Sequence, residues 1–195
     1  MPNPPAPLIL ASGSPYRREL LARLRLNFTS VSPNVDETPR PGEAAADLAL
    51  RLAGAKAAAV ANQHPDAWVI GSDQVLQAGS QLLGKPGSHS AAVAQLRQLS
   101  GQTVQFHTAV CLHTPDGKPL SDNVITQTRY RVLSDEEIAR YLKLEPAYDC
   151  AGACKAEGLG ITLCEEITSS DPTALIGLPL IALRRLLNQA GWRLP

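Results

Sequence analysis

Serine, proline and arginine side chains are concentrated in segment 12–18, whose sequence is Ser-Gly-Ser-Pro-Tyr-Arg-Arg. Ser14 before Pro15 predicts a helix start, because a hydroxyl caps exposed amides and proline suits the first helical position. A helix N-terminus carries partial positive charge and free N–H groups, both of which attract phosphate. Ser12 and either Arg17 or Arg18 are therefore candidate phosphate ligands, although a capped surface helix with two solvated arginines fits the pattern equally well.

Two other segments supply carboxylates. Glu37 follows Asp36 in a loop bounded by proline, and Asp73 follows the apolar run 68–70. Ligands of open α/β sheets collect at the carboxyl ends of strands, and Asp73 is predicted to stand where that strand ends. Magnesium takes one or two carboxylates together with substrate phosphates, so Glu37 and Asp73 are candidate metal ligands. For either residue alone, turn capping is the simpler interpretation.

Two lysines and a glycine-rich stretch complete the set of candidate residues. Lys85 stands between a glycine and a proline, and Lys56 is the only cation in the small-residue segment 52–60. A lone lysine in such a helix usually extends its ammonium group to solvent, so Lys56 joins a site only if its helix lines the same cleft. The stretch 151–160 carries Glu157, and its glycines either admit a ligand to the backbone or simply form turns.

Composition excludes several classes of protein. The 195 residues are 44% apolar, which suits one domain, and 18 Lys and Arg balance 18 Asp and Glu. This balance predicts no strong attraction to nucleic acid or acidic membranes. No apolar run reaches the ~18 residues of a membrane span, and the proline-rich start lacks the basic region of a signal peptide. The four cysteines do not form a CxxC pair, and we expect free thiols in a cytoplasmic protein.

The apolar pattern predicts an α/β fold with a mixed twisted sheet and flanking helices. Predicted strands cover 8–11, 28–31, 68–73, 104–113 and 124–132; predicted helices begin at Pro15 and cover 43–63, 91–99 and 180–190, with another after the capping box 134–137. The helix over 43–63 is expected to bury Leu48, Leu52, Ala55 and Ala59 on one stripe.

Taken in order, these motifs resemble the Maf family of nucleotide pyrophosphatases, from segment 8–12 to segment 177–180. The matching parts are Ser12-x-Ser14-x-x-Arg17, Asp36-Glu37-Thr38-Pro39, Lys56, Gly71-Ser72-Asp73, Gly84-Lys85-Pro86 and Tyr148-x-x-Ala151-Gly152. Each part alone is a weak signal. Six parts in this order and at this spacing are highly specific.

The resemblance implies one domain over 1–195, an elongated two-lobed fold with a central cleft that is related to the inosine triphosphate pyrophosphatases. It also implies cleavage between the α- and β-phosphates of a nucleotide with a divalent metal such as Mg, Mn or Co. The residues that would hold phosphate are Ser12, Arg17, Lys56 and Lys85. Glu37 and Asp73 would bind metal or water. The family treats the equivalent of Asp73 as the proton acceptor, and Glu37 is the alternative base.

Departures from the commonest family pattern point to one branch. Many members have Ala-Asp-Thr at positions 72–74, and Tyr-Gly-Ile-Gln-Gly at 154–158, where this chain differs. The combination of Tyr16, Gln74 and Glu157 resembles the branch that acts on 7-methyl-GTP. N7-methylguanine is cationic, so Tyr16 would stack on its ring. Glu157 would accept hydrogen bonds from its N1–H and exocyclic amine, and Gln74 would contact another edge of the base.

Three alternatives remain open. The first is the same chemistry on dTTP or UTP, as in the other branch. The second is a non-catalytic regulator of septum formation and cell division, and the third is a nucleotide-binding module without turnover. The expected partner is a small nucleotide in the cytoplasm, with no nucleic acid polymer and no membrane. A homodimer is compatible with the sequence, which does not specify the oligomeric state.

Overall fold

The structure, a computed structural model, describes residues 6–194, and within them a seven-stranded sheet is flanked by helices. The strands are β1 (Leu8–Ala11), β2 (Thr29–Val31), β3 (Trp68–Ala78), β4 (Gln81–Leu83), β5 (Thr103–His113), β6 (Pro119–Tyr130) and β7 (Cys164–Ser169). The helices are α1 (Pro15–Ala22), α2 (Ala45–Ala61), α3 (His89–Leu99), α4 (Asp135–Leu144) and α5 (Leu180–Gln189), with short 3-10 helices at Ala151–Ala153, Leu159–Leu163 and Ala174–Ile176.

The sheet is mixed, as the sequence predicts. Its strand order is β2-β1-β3-β5-β6-β7, and β4 pairs with β3 outside this path. β1 runs parallel to both β2 and β3, whereas the β3–β4 and β6–β7 pairs are antiparallel. The α/β class is therefore confirmed. None of the described helices combines the length and the apolar composition that crossing a bilayer requires.

The chain divides into two compact units. The first comprises Met1–Asp73, Thr108–Val124 and Asp171–Pro195, and the second comprises Gln74–His107 and Ile125–Ser170. The chain passes from the first unit to the second within β3, between Asp73 and Gln74. A single domain with two lobes over the whole chain stays a prediction.

The first unit has one apolar core. Strands β1, β3 and β5 contribute Leu10, Ile70 and Val110, and helices α1 and α5 add Leu20 and Leu183, all fully buried or nearly so. Burying side chains of this size is the main favourable term in folding. The core therefore fixes the start of α1 and the central part of β3, which carry the candidate site.

Local signals in the sequence are confirmed where they depend on neighbouring residues. Ser14 caps α1 by accepting a hydrogen bond from the Arg17 amide, and β1 has the predicted bounds. The capping box that begins at Ser134 is present in full. Helix α1 ends at Ala22, and Leu24 lies beyond its end while still packing on the core.

Three expectations about the elements are wrong. Asp73 does not end its strand, because β3 continues to Ala78 and its second half pairs with β4. On α2, Ala55 and Ala59 are only half-buried, and the face turned to the protein carries Ala53 and Ala57 instead. The strand predicted over 124–132 begins earlier and ends earlier, as β6.

In the second unit, the glycine-rich stretch packs closely on its neighbours. Gly152 has a φ of 69°, and a Cβ built on it would lie 2.8 Å from Leu76 Cδ2 and 3.2 Å from Leu99 Cδ1. The backbone conformation and the lack of space therefore both favour glycine. This contact anchors the beginning of the stretch against β3 and α3.

Candidate active site

The site in the first unit begins with a close approach of α2 to β3. A Cβ on Gly71 would lie 2.1 Å from the Ala53 carbonyl oxygen and 2.7 Å from the Ala57 amide nitrogen. No side chain fits in that space, and the two alanines facing Gly71 are themselves small. Glycine at this position lets the helix lie directly against the strand, which brings Lys56 next to Asp73.

Lys56 forms ion pairs with two carboxylates. Its Nζ lies 2.6 Å from Asp73 Oδ1 and 2.7 Å from Glu37 Oε1. Lys56 and Asp73 are each only 6% exposed, whereas the Glu37 side chain is 60% exposed. The usual solvated lysine is thus the wrong interpretation for Lys56. A buried ammonium is costly unless it is paired, and here both partners are within hydrogen-bonding distance.

Burial raises the pKa of Asp73 above its usual value, and the positive charges of Lys56 and Arg17 oppose this effect. The protein around the carboxyl group disfavours its charged form more than the two cations stabilise it. A carboxylate with a raised pKa is a better proton acceptor near neutral pH than an ordinary aspartate. The environment of Asp73 therefore suits a general base.

Arg17 is held in place by a backbone carbonyl. Its Nε donates to the Gly177 oxygen at 2.7 Å, and no hydrogen bond from its Nη groups occurs within residues 6–194. Burial lowers the pKa of Arg17 while Asp73 and Glu37 raise it, and a guanidinium keeps its charge in proteins. The outer edge of the guanidinium is therefore charged and available for an oxyanion.

The Gly177 carbonyl oxygen, which accepts from Arg17, also lies within hydrogen-bonding distance of the Ser72 hydroxyl. The Ser72 hydroxyl lies 2.9 Å from the Gly177 oxygen and 2.8 Å from the Ala109 oxygen. The φ of Gly177 is 122°, a conformation that favours glycine. Neither Ser72 nor Gly177 was among the candidate site residues of the sequence. The glycine of a Gly-Leu-Pro sequence indicates a turn, and nothing local shows which side chain its carbonyl will meet.

The serines before α1 bind amides of their own segment. Ser12 is buried and its Oγ accepts from the Ser14 amide at 3.1 Å, while the Ser14 Oγ accepts from the Arg17 amide at 3.4 Å. These two N–H groups are therefore already satisfied, contrary to the expectation of free amides. An anion at this helix start would meet the partial charge of the helix and the Arg17 side chain.

Glu37 and Asp73 have the chemistry to hold a divalent metal ion. Each binds Lys56 through one oxygen, and the second oxygen of each makes no hydrogen bond within the described part of the chain. Within that part, no group of three or more His, Cys, Asp or Glu is arranged to hold a metal. Two carboxylates nevertheless suffice for magnesium when substrate phosphates supply further oxygens, so the residues fit this ion.

Three other predicted site residues lie in the second unit. Gln74 follows Asp73 in β3 and is half-buried, and Lys85 is exposed in the loop between β4 and α3. Glu157 is exposed in the glycine-rich stretch, although protein atoms around its carboxyl group raise its pKa. Tyr16 belongs to the first unit and is half-buried on the first turn of α1. The roles of these four residues in binding stay predictions.

Comparison with known proteins identifies the family. The protein-family model described as Maf-like protein matches residues 7–190. A protein of Xanthomonas axonopodis pv. citri (strain 306) named 7-methyl-GTP pyrophosphatase is 58% identical over 188 residues, covering 96% of this chain and 98% of the relative. A protein of Bordetella pertussis (strain Tohama I / ATCC BAA-589 / NCTC 13251) with the same name is 56% identical over 191 residues, covering 98% and 96%.

A solved structure shows a weaker likeness. It is the nucleoside-triphosphatase / dITP/XTP pyrophosphatase of Mycobacterium abscessus ATCC 19977 / DSM 44196, which is 20% identical with a TM-score of 0.45, covering 65% of this chain and 74% of its own. This likeness is too low to support a conclusion about the site. The family match and the relatives, by contrast, extend over nearly the whole chain, and this chain belongs to the Maf family.

Proposed function

We propose that this chain hydrolyses the bond between the α- and β-phosphates of a nucleoside triphosphate, and that 7-methyl-GTP is its substrate. The products are the nucleoside monophosphate and pyrophosphate. The observation that carries the proposal is the name 7-methyl-GTP pyrophosphatase on relatives that are 56–58% identical over nearly the full chain. The cluster of Glu37, Lys56 and Asp73 supports the chemistry, because it combines a candidate base with a fixed cation.

In this mechanism Asp73 removes a proton from the attacking water. The water oxygen bonds to the α-phosphorus, and the bond from that phosphorus to the bridging oxygen breaks, so that pyrophosphate leaves with the electron pair. Burial supports this role, since it raises the pKa of Asp73. Lys56 keeps its second partner, Glu37, when Asp73 becomes neutral, so the buried ammonium is never left without a carboxylate.

Charge that develops on the leaving pyrophosphate would be stabilised by fixed cations. The Nη groups of Arg17 present a planar pair of donors, and the Gly177 carbonyl already orients the guanidinium. Groups that are in place before the reaction stabilise a transition state without reorganisation. We assign Lys56 the same role and propose that Ser12 and Lys85 contact the phosphates as well.

We propose that Glu37 and Asp73 also hold a divalent ion such as Mg, Mn or Co, together with the phosphates of the substrate. When bound, such an ion neutralises phosphate charge and lowers the pKa of a coordinated water. The two carboxylate oxygens without hydrogen bonds within residues 6–194 support this assignment. Loss of turnover in a chelator, with recovery on addition of one metal, is the expected result.

Recognition of the base is assigned to Tyr16, Gln74 and Glu157. A methylated, cationic guanine favours an aromatic face and a carboxylate over neutral partners, and these residue types supply both. We further propose that the protein works in the cytoplasm, where free nucleotides are found, and that it forms a homodimer. Light scattering of the purified protein tests the dimer directly.

The function is tested by measuring pyrophosphate release from 7-methyl-GTP, GTP, UTP and dTTP. We expect the highest kcat/KM for 7-methyl-GTP. In water labelled with heavy oxygen, the label should enter the monophosphate, because the attack is on the α-phosphorus. Label in pyrophosphate would instead indicate attack on the β-phosphorus.

Other outcomes of the same measurement select among the alternatives. A preference for UTP or dTTP would assign the chain to the other branch. Binding of nucleotides without release of pyrophosphate, with and without each metal, would indicate a binding module or a regulator rather than an enzyme.

A further inference from the structure

Two thiols that the proposed reaction does not use lie side by side in the second unit. Cys154 Sγ is 3.5 Å from the Gly160 carbonyl oxygen, and Cys164 Sγ is 3.8 Å from the same oxygen. Both sulfur atoms contact this oxygen, and the two thiols are also hydrogen-bond partners of each other, although segment 155–163 separates them in the chain. All four cysteines are free thiols in this structure.

The fold of the intervening segment explains why the thiols meet. The amides of Gly158 and Gly160 both donate to the Lys155 carbonyl, each at 3.0 Å, so the chain curls back on itself. A Cβ on Gly160 would lie 2.6 Å from the Lys155 backbone nitrogen and oxygen, which leaves no space for a side chain. Cys164 then begins β7, where it is fixed opposite Tyr130 of β6.

The two thiols differ in a way that suits stepwise oxidation. The hydrogen bond with Cys154 and the nearby positive charge of Arg131 lower the pKa of Cys164. The same hydrogen bond and burial raise the pKa of Cys154. Since the thiolate is the reactive form, Cys164 is the nucleophile of the pair and Cys154 is its partner. Both residues are only partly buried, whereas Cys111 is fully buried.

We propose that Cys154 and Cys164 are a modification site, a dithiol that a small disulfide converts into an intrachain disulfide. The Cys164 thiolate attacks one sulfur of the small disulfide, forming a mixed disulfide and releasing the first small thiolate. Cys154 then loses its proton and attacks the Cys164 sulfur, which releases the second small thiolate. The protein loses two electrons and two protons, and the small disulfide is reduced to two thiols.

The new bond would join the two ends of segment 155–163, which contains Glu157. Closing a loop in this way restricts the unfolded chain and stabilises the folded one. If Glu157 reads the base, which rests on the proposed function, oxidation would also alter selectivity between nucleotides. Formation of the bond itself is independent of any enzymatic activity.

The test uses the full chain incubated with oxidised glutathione, followed by blocking of free thiols, denaturation and digestion with trypsin without reductant. Cleavage after Lys155 places Cys154 in peptide 144–155 and Cys164 in peptide 156–184. We expect these two peptides to be joined and their combined mass to be lower by two hydrogens. The oxidised protein should also unfold at a higher temperature than the reduced protein.

Cys150 provides the matched control, because it shares peptide 144–155 with Cys154. The cross-link should survive in Cys150→Ser and disappear in Cys154→Ser, with thermal unfolding confirming that both variants are folded. A cross-link that persists in Cys154→Ser, or glutathione that remains attached to Cys164 in the wild type, would overturn the proposal. Absence of pyrophosphatase activity would remove the proposed function and leave this test unaffected.

Discussion

Lys56, Asp73 and Arg17 of the first unit have very different surroundings from Lys85 and Glu157 of the second unit. In the first unit, Lys56 and Asp73 are buried and paired at 2.6 Å, and a backbone carbonyl holds Arg17 at 2.7 Å. In the second unit, Lys85 and Glu157 are exposed to solvent. One group is ordered by the fold before any substrate arrives, whereas the other is in contact with water.

This difference predicts two kinds of mutational effect. Electrostatic interactions are stronger in a buried environment, and exposed charges are weakened by water and salt. Substitutions among the buried residues should therefore have large effects on every nucleotide. Substitutions among the exposed residues should have smaller effects, and for Glu157 these should depend on the base.

The largest effect is expected from Asp73→Asn. If Asp73 is the general base, kcat/KM should fall by about 10²- to 10⁴-fold for every nucleotide. Folding should be nearly unchanged, because asparagine has the same size and Lys56 keeps its ion pair with Glu37. Steady-state kinetics and thermal unfolding measure the two quantities.

Asp36→Asn is the matched control for this substitution. Asp36 is an exposed carboxylate that accepts a hydrogen bond from the Thr38 amide, and asparagine can make the same bond. Activity of Asp36→Asn should be close to that of the wild type. If Asp73→Asn also stays within a few-fold of the wild type, Asp73 is not the base.

The pH dependence gives a second measurement on Asp73. Because burial raises the pKa of Asp73 above 3.8 in the protein without bound metal, this carboxyl group should take up its proton at that higher value when no metal is added. The folded state then binds this proton more tightly than the unfolded state. The contribution of Asp73 to stability should therefore fall as pH rises from about 3.8 through the raised pKa. Asp73→Asn should lose this dependence in thermal unfolding of the metal-free protein, and the same pH dependence in wild type and variant would contradict the raised pKa of Asp73.

The next largest effect concerns stability. Lys56→Met removes the ammonium and leaves the Asp73 carboxylate buried without it. Removing one partner of a buried ion pair typically costs about 3–5 kcal/mol. In the Asp73→Asn background the same substitution should cost much less, because no buried carboxylate remains. Urea unfolding of the two single variants and the double variant measures this coupling.

Lys85→Met tests the exposed residues of the second unit. Lys85 is exposed, so its replacement should leave the free energy of unfolding nearly unchanged. It should still lower kcat/KM for all nucleotides if Lys85 contacts phosphate. Equal losses of stability in the two lysine variants would show that burial does not distinguish them.

Features that depend on neighbouring residues could be predicted from the sequence. The cap of α1 at Ser14, the capping box at Ser134 and strand β1 all follow from short-range patterns, and all are confirmed. The class of the fold follows from the alternation of such elements. Strand β7 was not predicted, because its sequence is largely polar and it takes the form of a strand through pairing with β6.

Features of the site that depend on distant residues could not be predicted from local pattern. Lys56 is buried because α2 approaches β3 at Gly71, and that approach involves segments far apart in the chain. Asp73 lies inside a strand because β4 folds back on β3. The sequence therefore identified candidate residues, whereas their burial and partners required the structure.

A smaller effect is expected from Gly177→Ala. A side chain would lie 3.5 Å from Arg17 Nε, which is ordinary contact, but a φ of 122° is strained for alanine. Relief of this strain should move the carbonyl that orients Arg17. We expect kcat/KM to fall about tenfold for all nucleotides, which corresponds to about 1.4 kcal/mol.

Two further variants distinguish a role of Gly177 in positioning Arg17 from a role in the backbone conformation alone. In an Arg17→Lys background, where no Nε remains, Gly177→Ala should have little additional effect on kcat/KM. Gly191→Ala alters a glycine with a φ of 94° and open space around it, so it should affect stability and leave catalysis unchanged. If Gly177→Ala lowers kcat/KM equally in the Arg17→Lys background, Gly177 maintains the backbone conformation and does not position Arg17.

The smallest effect is expected from Glu157→Ala. This substitution should narrow the preference for 7-methyl-GTP over GTP, because the cationic base loses a carboxylate and GTP loses less. The change in the ratio of kcat/KM should be about tenfold or less, as Glu157 is exposed and its charge is screened. The requirement for metal should stay the same.

Glu136→Ala is the control, because Glu136 is another exposed glutamate of the second unit, with 87% of its side chain accessible. Its replacement removes the same charge and should leave the ratio of 7-methyl-GTP to GTP unchanged. If the two variants behave alike, the loss of charge acts at long range and Glu157 does not contact the base. If Glu157→Gln keeps part of the preference, hydrogen bonding contributes separately from charge, since the amide retains one acceptor oxygen. If the wild type prefers UTP or dTTP, the assignment of 7-methyl-GTP as the substrate is wrong, whatever the variants show.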